Sequence, residues 1–295
     1  MSSLRVQVLS TNNFPPSLLI KEGGQLLSNT HALIEGYGED YTAVVTDPGS
    51  QWAGIGQLII GNNYGDHLLI SNSAVVQAFQ AIVGNSIAPC NTVTVVNGGA
   101  FIVTNNLANA SLTLPSGYIF LSDGTVIGNN ISISNQSEIA GCGTIIGNVN
   151  NSGTLSVNCP GGTLTLDGIL TNNSSIIATN GADIEFLGPV VNNGTVDLVN
   201  GFGHFLGGFL NKGVYRDAGT VLKTPALNFT TIGMVISFGS VSGKTYAVEY
   251  TDCLTPTNWS VLFGGITGTG GTMQFTDTSA VGLTQRFYRV HLTMP

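Results

Sequence analysis

Apolar residues occur along this chain in short alternating runs, and the runs return at a fixed distance. Ala43-Val44-Val45, Leu68-Leu69-Ile70, Val93-Thr94-Val95-Val96 and Tyr118-Ile119-Phe120-Leu121 each stand before a turn. The turns Glu22-Gly23-Gly24, Asp47-Pro48-Gly49, Asn72-Ser73-Ala74, Asn97-Gly98-Gly99 and Ser122-Asp123-Gly124 begin 25 residues apart. Within the first two units Leu33-Ile34 and Ile59-Ile60 precede Gly36 and Gly61; in the third, Ile82-Val83-Gly84 comes two residues early. Alternation with period two marks half-buried strands, and self-similarity at a fixed period marks a stacked repeat.

Beyond Ser122 the spacing contracts. Turns at Gly141-Cys142-Gly143, Pro160-Gly161-Gly162, Asn180-Gly181, Asn192-Asn193-Gly194 and Asn211-Lys212-Gly213 lie roughly 12 or 19–20 residues apart. The strands between them persist, as in Thr154-Leu155-Ser156-Val157 and Ile184-Glu185-Phe186-Leu187. One coil cannot bury its apolar side alone, whereas stacked coils share a core and satisfy each other's backbone groups. The pattern therefore predicts an all-β fold: a parallel β-solenoid of nine or ten coils over residues 22–222, right-handed by the crossover rule. An antiparallel meander or sandwich is the competing architecture for strands of these lengths. Residues 1–21, with Leu4, Val6 and Val8 alternating before Pro15-Pro16, read as a capping strand or one donated to a neighbour.

After Thr224-Pro225 the repeat ends. Residues 223–234 read as a linker and 235–295 as a small antiparallel β-sandwich, with strands at Tyr246–Thr251, Trp259–Phe263, Met273–Thr276 and Gln285–Leu292.

Composition narrows the function classes. Only 8% of residues are charged, against roughly 25% in an average soluble domain. Net charge is −8, and no Lys or Arg occurs from Glu22 to Asn211. A nucleic-acid partner is thereby excluded for the central region, because phosphates need basic side chains. The same stretch offers trypsin-like proteases no site, which suits an exposed protein. No apolar run approaches a membrane helix, so membrane insertion is not expected. The N-terminal residues show no apolar signal-peptide core.

Candidate chemistry is sparse. Glu185 and Asp197 each lie five residues after an Asn turn, at Asn180 and Asn192. Were those turns equivalent in adjacent coils, the carboxylates would stack as an acid/base pair or a cation site. The plainer reading is two solvated outer-face residues. Glu39, Asp40 and Asp66 gather at turns of consecutive coils, and clustered carboxylates of this kind suit Ca²⁺. No other cofactor is implied. His31, His67, His204 and His291 form no ligand spacing. Cys142 and Cys159 are placed to meet between successive rungs as a disulfide; Cys90 and Cys253 remain for a second link or as thiols. A polysaccharide-lyase site needs a basic residue, which residues 22–211 lack, and no nucleophile–base arrangement stands out.

The C-terminal segment resembles a module common in secreted proteins of Verrucomicrobia and related bacteria. The resemblance rests on Tyr246, Val248, Glu249, Tyr250, Thr251, Leu254, Trp259, Phe275, Thr276, Asp277, Arg286, Phe287, Tyr288, Arg289 and Val290, over about 55 residues. The repeats in turn resemble the β-strand repeats of autotransporter-like secreted proteins. Asp47-Pro-Gly-Ser-Gln-Trp52 before Leu58-Ile-Ile-Gly61, and Asn148-Val-Asn-Asn-Ser-Gly-Thr-Leu-Ser-Val157, carry that likeness. These resemblances imply an extracellular or cell-surface location and transfer no catalytic residue. The expected function is a non-enzymatic structural protein that associates with itself, into a fibre or surface layer. The alternatives are a surface adhesin that binds glycans and, behind it, a β-helix glycan hydrolase.

Overall fold

The computed structural model describes residues 17–35, 41–61, 65–84, 90–217, 225–240, 245–254 and 259–293. Contacts divide the chain into two units, residues 1–215 and 216–295. No α-helix occurs among the described residues, and so none long and apolar enough to cross a membrane.

The first unit is a parallel β-solenoid of about nine coils. Each coil has three faces. The first face begins with Ser17–Ile20, and Ser17 lies beside Thr42, followed rung by rung by His67, Thr92, Tyr118, Glu138, Thr154, Ser175 and Thr195. The second face runs from Gln25–Leu27 to Phe202–Phe205, and the third from His31–Ile34 to Phe209–Asn211. The solenoid thus starts within the segment read as a separate N-terminal strand. Leu4, Val6 and Val8 lie outside the described residues.

Alternation sets the packing. On the first face Ala43, Val45, Leu68, Ile70, Val93 and Val95 turn inward, all at most 2% exposed. Their neighbours Thr42, Val44, His67 and Thr92 turn outward. One continuous apolar cluster runs from Ile20 to Leu198. Burying each Val, Leu or Ile contributes roughly 1.5–3 kcal/mol, before the cost of ordering the chain. Trp52 is the largest buried side chain, and its indole N–H donates to Ser28 Oγ at 3.1 Å.

The turns inferred from the 25-residue repeat are left-handed corners between the first and second faces. Glu22, Asp47, Asn72, Asn97 and Asp123 have φ of 56°, 77°, 52°, 51° and 58°. Asn, Asp and Gly tolerate this region best, which is why the repeat was visible at these positions.

Coil shortening has two locations: residues 104–110 separate the second and third faces of one early coil where a single residue, Asn129, does so in the next, and the corner after the third face also contracts. Between the third face and the next first face the early coils carry a longer connection, with six residues between Ile60 and His67. Later, Asn172 and Ser175 are separated by only two residues, as are Asn192 and Thr195, and Asn211 and Val214. An inward-turned asparagine replaces the longer connection. Asn151 Nδ2 donates to Asn172 Oδ1 at 2.7 Å, Asn172 Nδ2 to Asn192 Oδ1 at 2.7 Å, and Asn192 Nδ2 to Asn211 Oδ1 at 2.6 Å. The same amides also serve the corner backbone, for example Asn172 Nδ2 to Thr195 O at 3.1 Å. The first three side chains are fully buried, and they remain so because both ends of each amide are bonded.

The roughly 12-residue spacing is therefore no shortened coil. Asn180 and Asn192 occupy two different corners of one coil: Asp183–Phe186, Val190–Asn192 and Thr195–Leu198 are its three faces.

The second unit holds two three-stranded antiparallel sheets. One joins Ala226–Thr230, Gly233–Gly239 and Thr272–Asp277; the other joins Ser260–Thr267, Thr245–Thr251 and Phe287–Thr293. Ile236 and Phe238 from the first pack with Tyr246, Val248, Ile266 and Val290 from the second. Ala226–Thr230, within the stretch read as linker, is thus a strand of this sandwich.

Candidate functional site

Glu185 and Asp197 are not stacked. Glu185 lies on the second face between Thr165 and His204, while Asp197 lies on the first face beside Ile177. The stacked acid/base pair or cation site that their common offset would allow does not form, because the two Asn turns that set that offset are different corners. Around Glu185, the nearby His204 Nε2 is 3.6 Å from Asp183 Oδ1, a largely exposed pair of little energetic weight.

Asp66 sits buried in the corner between the third and first faces. Its Oδ1 accepts from the Tyr41 backbone N–H at 3.0 Å, and its own N–H donates to Asn91 Oδ1 at 2.8 Å. Tyr41, Asp66 and Asn91 are successive occupants of this corner, so Asp66 caps the coil before it as Asn91 does. Gly61 makes room for the arrangement: its φ is +77°, and a Cβ there would stand 1.7 Å from Asn91 Oδ1. Glu39 and Asp40 lie outside the described residues. Among the described residues no three His, Cys, Asp or Glu side chains gather as a metal site.

Cys142 and Cys159 form a disulfide, with Cα atoms 6.2 Å apart. Cys142 lies beside Ser122 at the corner between the first and second faces, and Cys159 lies in the same corner one coil later. Successive coils stand about 4.8 Å apart, within the range a disulfide spans. Cys90 and Cys253 are exposed thiols.

The described surface also contains a groove of about 520 Å³ on the third face. Asn130, Ser132, Asn148, Asn150, Ile169, Thr171 and Asn173 line it, drawn from three successive coils. The middle coil is the shortest in the solenoid, since Glu138 and Thr154 occupy the same register position in adjacent coils. Sequence periodicity did not reveal this groove.

In the second unit, the signature residues of the C-terminal segment form two stacked ion pairs. Arg286 lies over the Tyr250 ring at 4.0 Å and donates through Nε and Nη2 to both Asp252 oxygens at 2.7 and 3.0 Å. Its Nη1 reaches Asp277 Oδ2 at 2.9 Å, where Tyr288 Oη also donates at 2.8 Å. Arg289 lies over Trp259 at 4.4 Å and pairs with Glu249. The hydrogen bond from Arg286 holds the Asp252 carboxyl below its usual range. Burial works to raise Asp277, but donation from Ser279, Arg286 and Tyr288 outweighs it and lowers the pKa. Burial, reinforced by Asp277, pushes the Tyr288 hydroxyl up. On the solenoid, burial and then the Glu138 charge raise Tyr118. A guanidinium committed on three nitrogens and stacked on a ring has little left for a ligand, so these residues hold the sandwich together.

Compared with protein-family models, characterised proteins and solved structures, the chain matches none.

Proposed function

We propose that this chain is a non-catalytic structural protein, acting outside the cell or at its surface, that associates with itself through the last coil of the solenoid. The observation that carries the reading is the character of that coil. Among the described residues, Phe202–Phe205, Phe209–Asn211 and Val214–Asp217 pair only with the coil before them. Its inward-facing Phe205 and Phe209 are only partly buried, whereas their register partners one coil earlier, Phe186 and Val190, are 1% exposed, and the outward-facing Phe202, Leu206, Leu210 and Val214 add apolar side chains that are 59%, 66%, 53% and 46% exposed. Edge strands with exposed apolar side chains template further pairing. The disulfide supports an oxidising location, and a solenoid wall without Lys or Arg from 22 to 211 supports exposure to proteases.

Sedimentation velocity over a hundredfold concentration range tests this. Association that rises with concentration and is abolished in Leu206→Asp/Leu210→Asp is the expected result. A chain that stays monomeric at the highest concentration overturns it.

A further inference from the structure

We infer that the groove on the third face binds an uncharged, hydroxyl-rich polymer, a neutral polysaccharide. The first argument is charge. The outward column His31, Gln57, Gln80, Ser111, Asn130, Asn148 contains no Asp, Glu, Lys or Arg. Neither does its companion, Leu33, Ile59, Ile82, Thr113, Ser132, Asn150, Thr171, Val191, Leu210. A net charge of −8 with no cation on this wall disfavours uronates, phosphates and acidic peptides.

The second argument is how the amides are held. Asn148 Oδ1 accepts from the Ile169 N–H at 3.4 Å, and Asn150 Oδ1 accepts from Asn173 Nδ2 at 2.9 Å. Asn173 Oδ1 in turn accepts from Asn193 Nδ2 at 2.9 Å, and Asn130 Nδ2 donates to Ala110 O at 3.3 Å. Asn130, Asn148 and Asn150 are thus each tied to the wall at one end, and Asn173 at both. Among the described residues the NH₂ groups of Asn148 and Asn150 and the Oδ1 of Asn130 carry no protein bond, and the Ser132 and Thr171 hydroxyls stand beside them. The groove offers oriented donors and acceptors interspersed, the set that matches hydroxyls able to act as both. Ile169, 52% exposed at the rim, supplies an apolar surface for the C–H face of a sugar ring. The lining crosses three coils, so the site accommodates an extended chain lying along the solenoid axis.

Affinity gel electrophoresis of the full chain tests the assignment, with a soluble β-glucan, a galactomannan and an arabinoxylan as neutral probes and polygalacturonate as the anionic one. At least one neutral probe should retard the protein. Asn148→Ala/Asn150→Ala should weaken that retardation by about tenfold, since two donors are lost. Thr171→Arg, which places a long charged side chain among the lining residues at an outward position, should weaken it as well, with circular dichroism unchanged in both variants. No retardation by any neutral probe, retardation untouched by both variants, or tighter binding of polygalacturonate would each overturn it. The outcome is independent of self-association, because the last coil contributes none of the lining side chains.

Discussion

Asn172 donates its side-chain N–H to Asn192 Oδ1 at 2.7 Å while its own Oδ1 accepts from Asn151 at the same distance. Neither bond is replaceable by water in a fully buried corner. Asn172→Leu removes both and leaves Asn192 and Asn151 with buried groups to satisfy. It should cost about 2–4 kcal/mol, read as a lower urea midpoint with the slope unchanged. A loss below about 0.5 kcal/mol would mean the column is ornamental.

The Cys142–Cys159 bond closes a loop with a sequence separation of 17 and staples two coils at one corner. Loops of this size give roughly 3 kcal/mol on the chain-entropy estimate. Cys142→Ser/Cys159→Ser should lower the thermal midpoint, and reductant should lower that of the wild type to match. A wild type indifferent to reductant would show the bond absent.

In the sandwich, Asp252 and Asp277 both have lowered pKa values. A depressed carboxylate contributes stability that is fully present above its unfolded pKa, about 3.9, and is lost as pH falls through the folded value. The second unit should therefore lose stability below about pH 4 and hold it constant from there to neutrality. Asp277→Asn should flatten that acid limb. Arg286→Met leaves the buried Asp277 carboxylate without its cation and should cost about 3–5 kcal/mol at pH 7. Chemical unfolding followed by near-ultraviolet circular dichroism at several pH values reads both effects.

The Asp66 corner separates two roles. If its carboxylate caps Tyr41 alone, Asp66→Ala costs about 1–3 kcal/mol, Asp66→Asn much less, and neither calcium nor chelator moves the thermal midpoint. A calcium-dependent rise in the midpoint that Asp66→Ala abolishes would instead make Asp66, with Glu39 and Asp40, the cation site.

Trypsin gives a further check on the two-unit division. Its sites nearest the solenoid are Lys21, Lys212 and Arg216. Digestion should release a fragment beginning at Glu22 and ending at Lys212 or Arg216 that retains its β-sheet spectrum and melts cooperatively. A released fragment that is unfolded would mean the solenoid depends on the second unit.

The parallel solenoid and its 25-residue period were legible because each early coil repeats a left-handed corner, at Glu22, Asp47, Asn72 and Asn97, that only a few residue types fill. The later coils misled for a related reason. Both Asn180-Gly181 and Asn192-Asn193-Gly194 are turns of Asn and Gly, but one is an exposed left-handed corner and the other presents a buried Asn192 to the core. Composition does not distinguish them; burial does, and the spacing of Asn151, Asn172, Asn192 and Asn211 is the signal that identifies the second kind. The two stacked ion pairs were hidden differently. Arg286 and Asp252 are 34 residues apart, and Arg289 and Glu249 are 40 apart, so only the folded sandwich brings them together.

The asparagine column has a consequence for how such a chain changes length. Every rung from Asn151 to Asn211 presents the same donor toward one neighbour and the same acceptor toward the other. Coils in this stretch are interchangeable parts: excising one whole turn, residues 172–191, brings Asn192 against Asn151 with the bonding sense preserved. The earlier coils use a different joint, in which Asp66 Oδ1 and Asn91 Oδ1 each accept a backbone N–H of the preceding coil, so their corners do not mate with the asparagine column. Duplication and loss can therefore shorten or extend the solenoid at its later end without redesigning it.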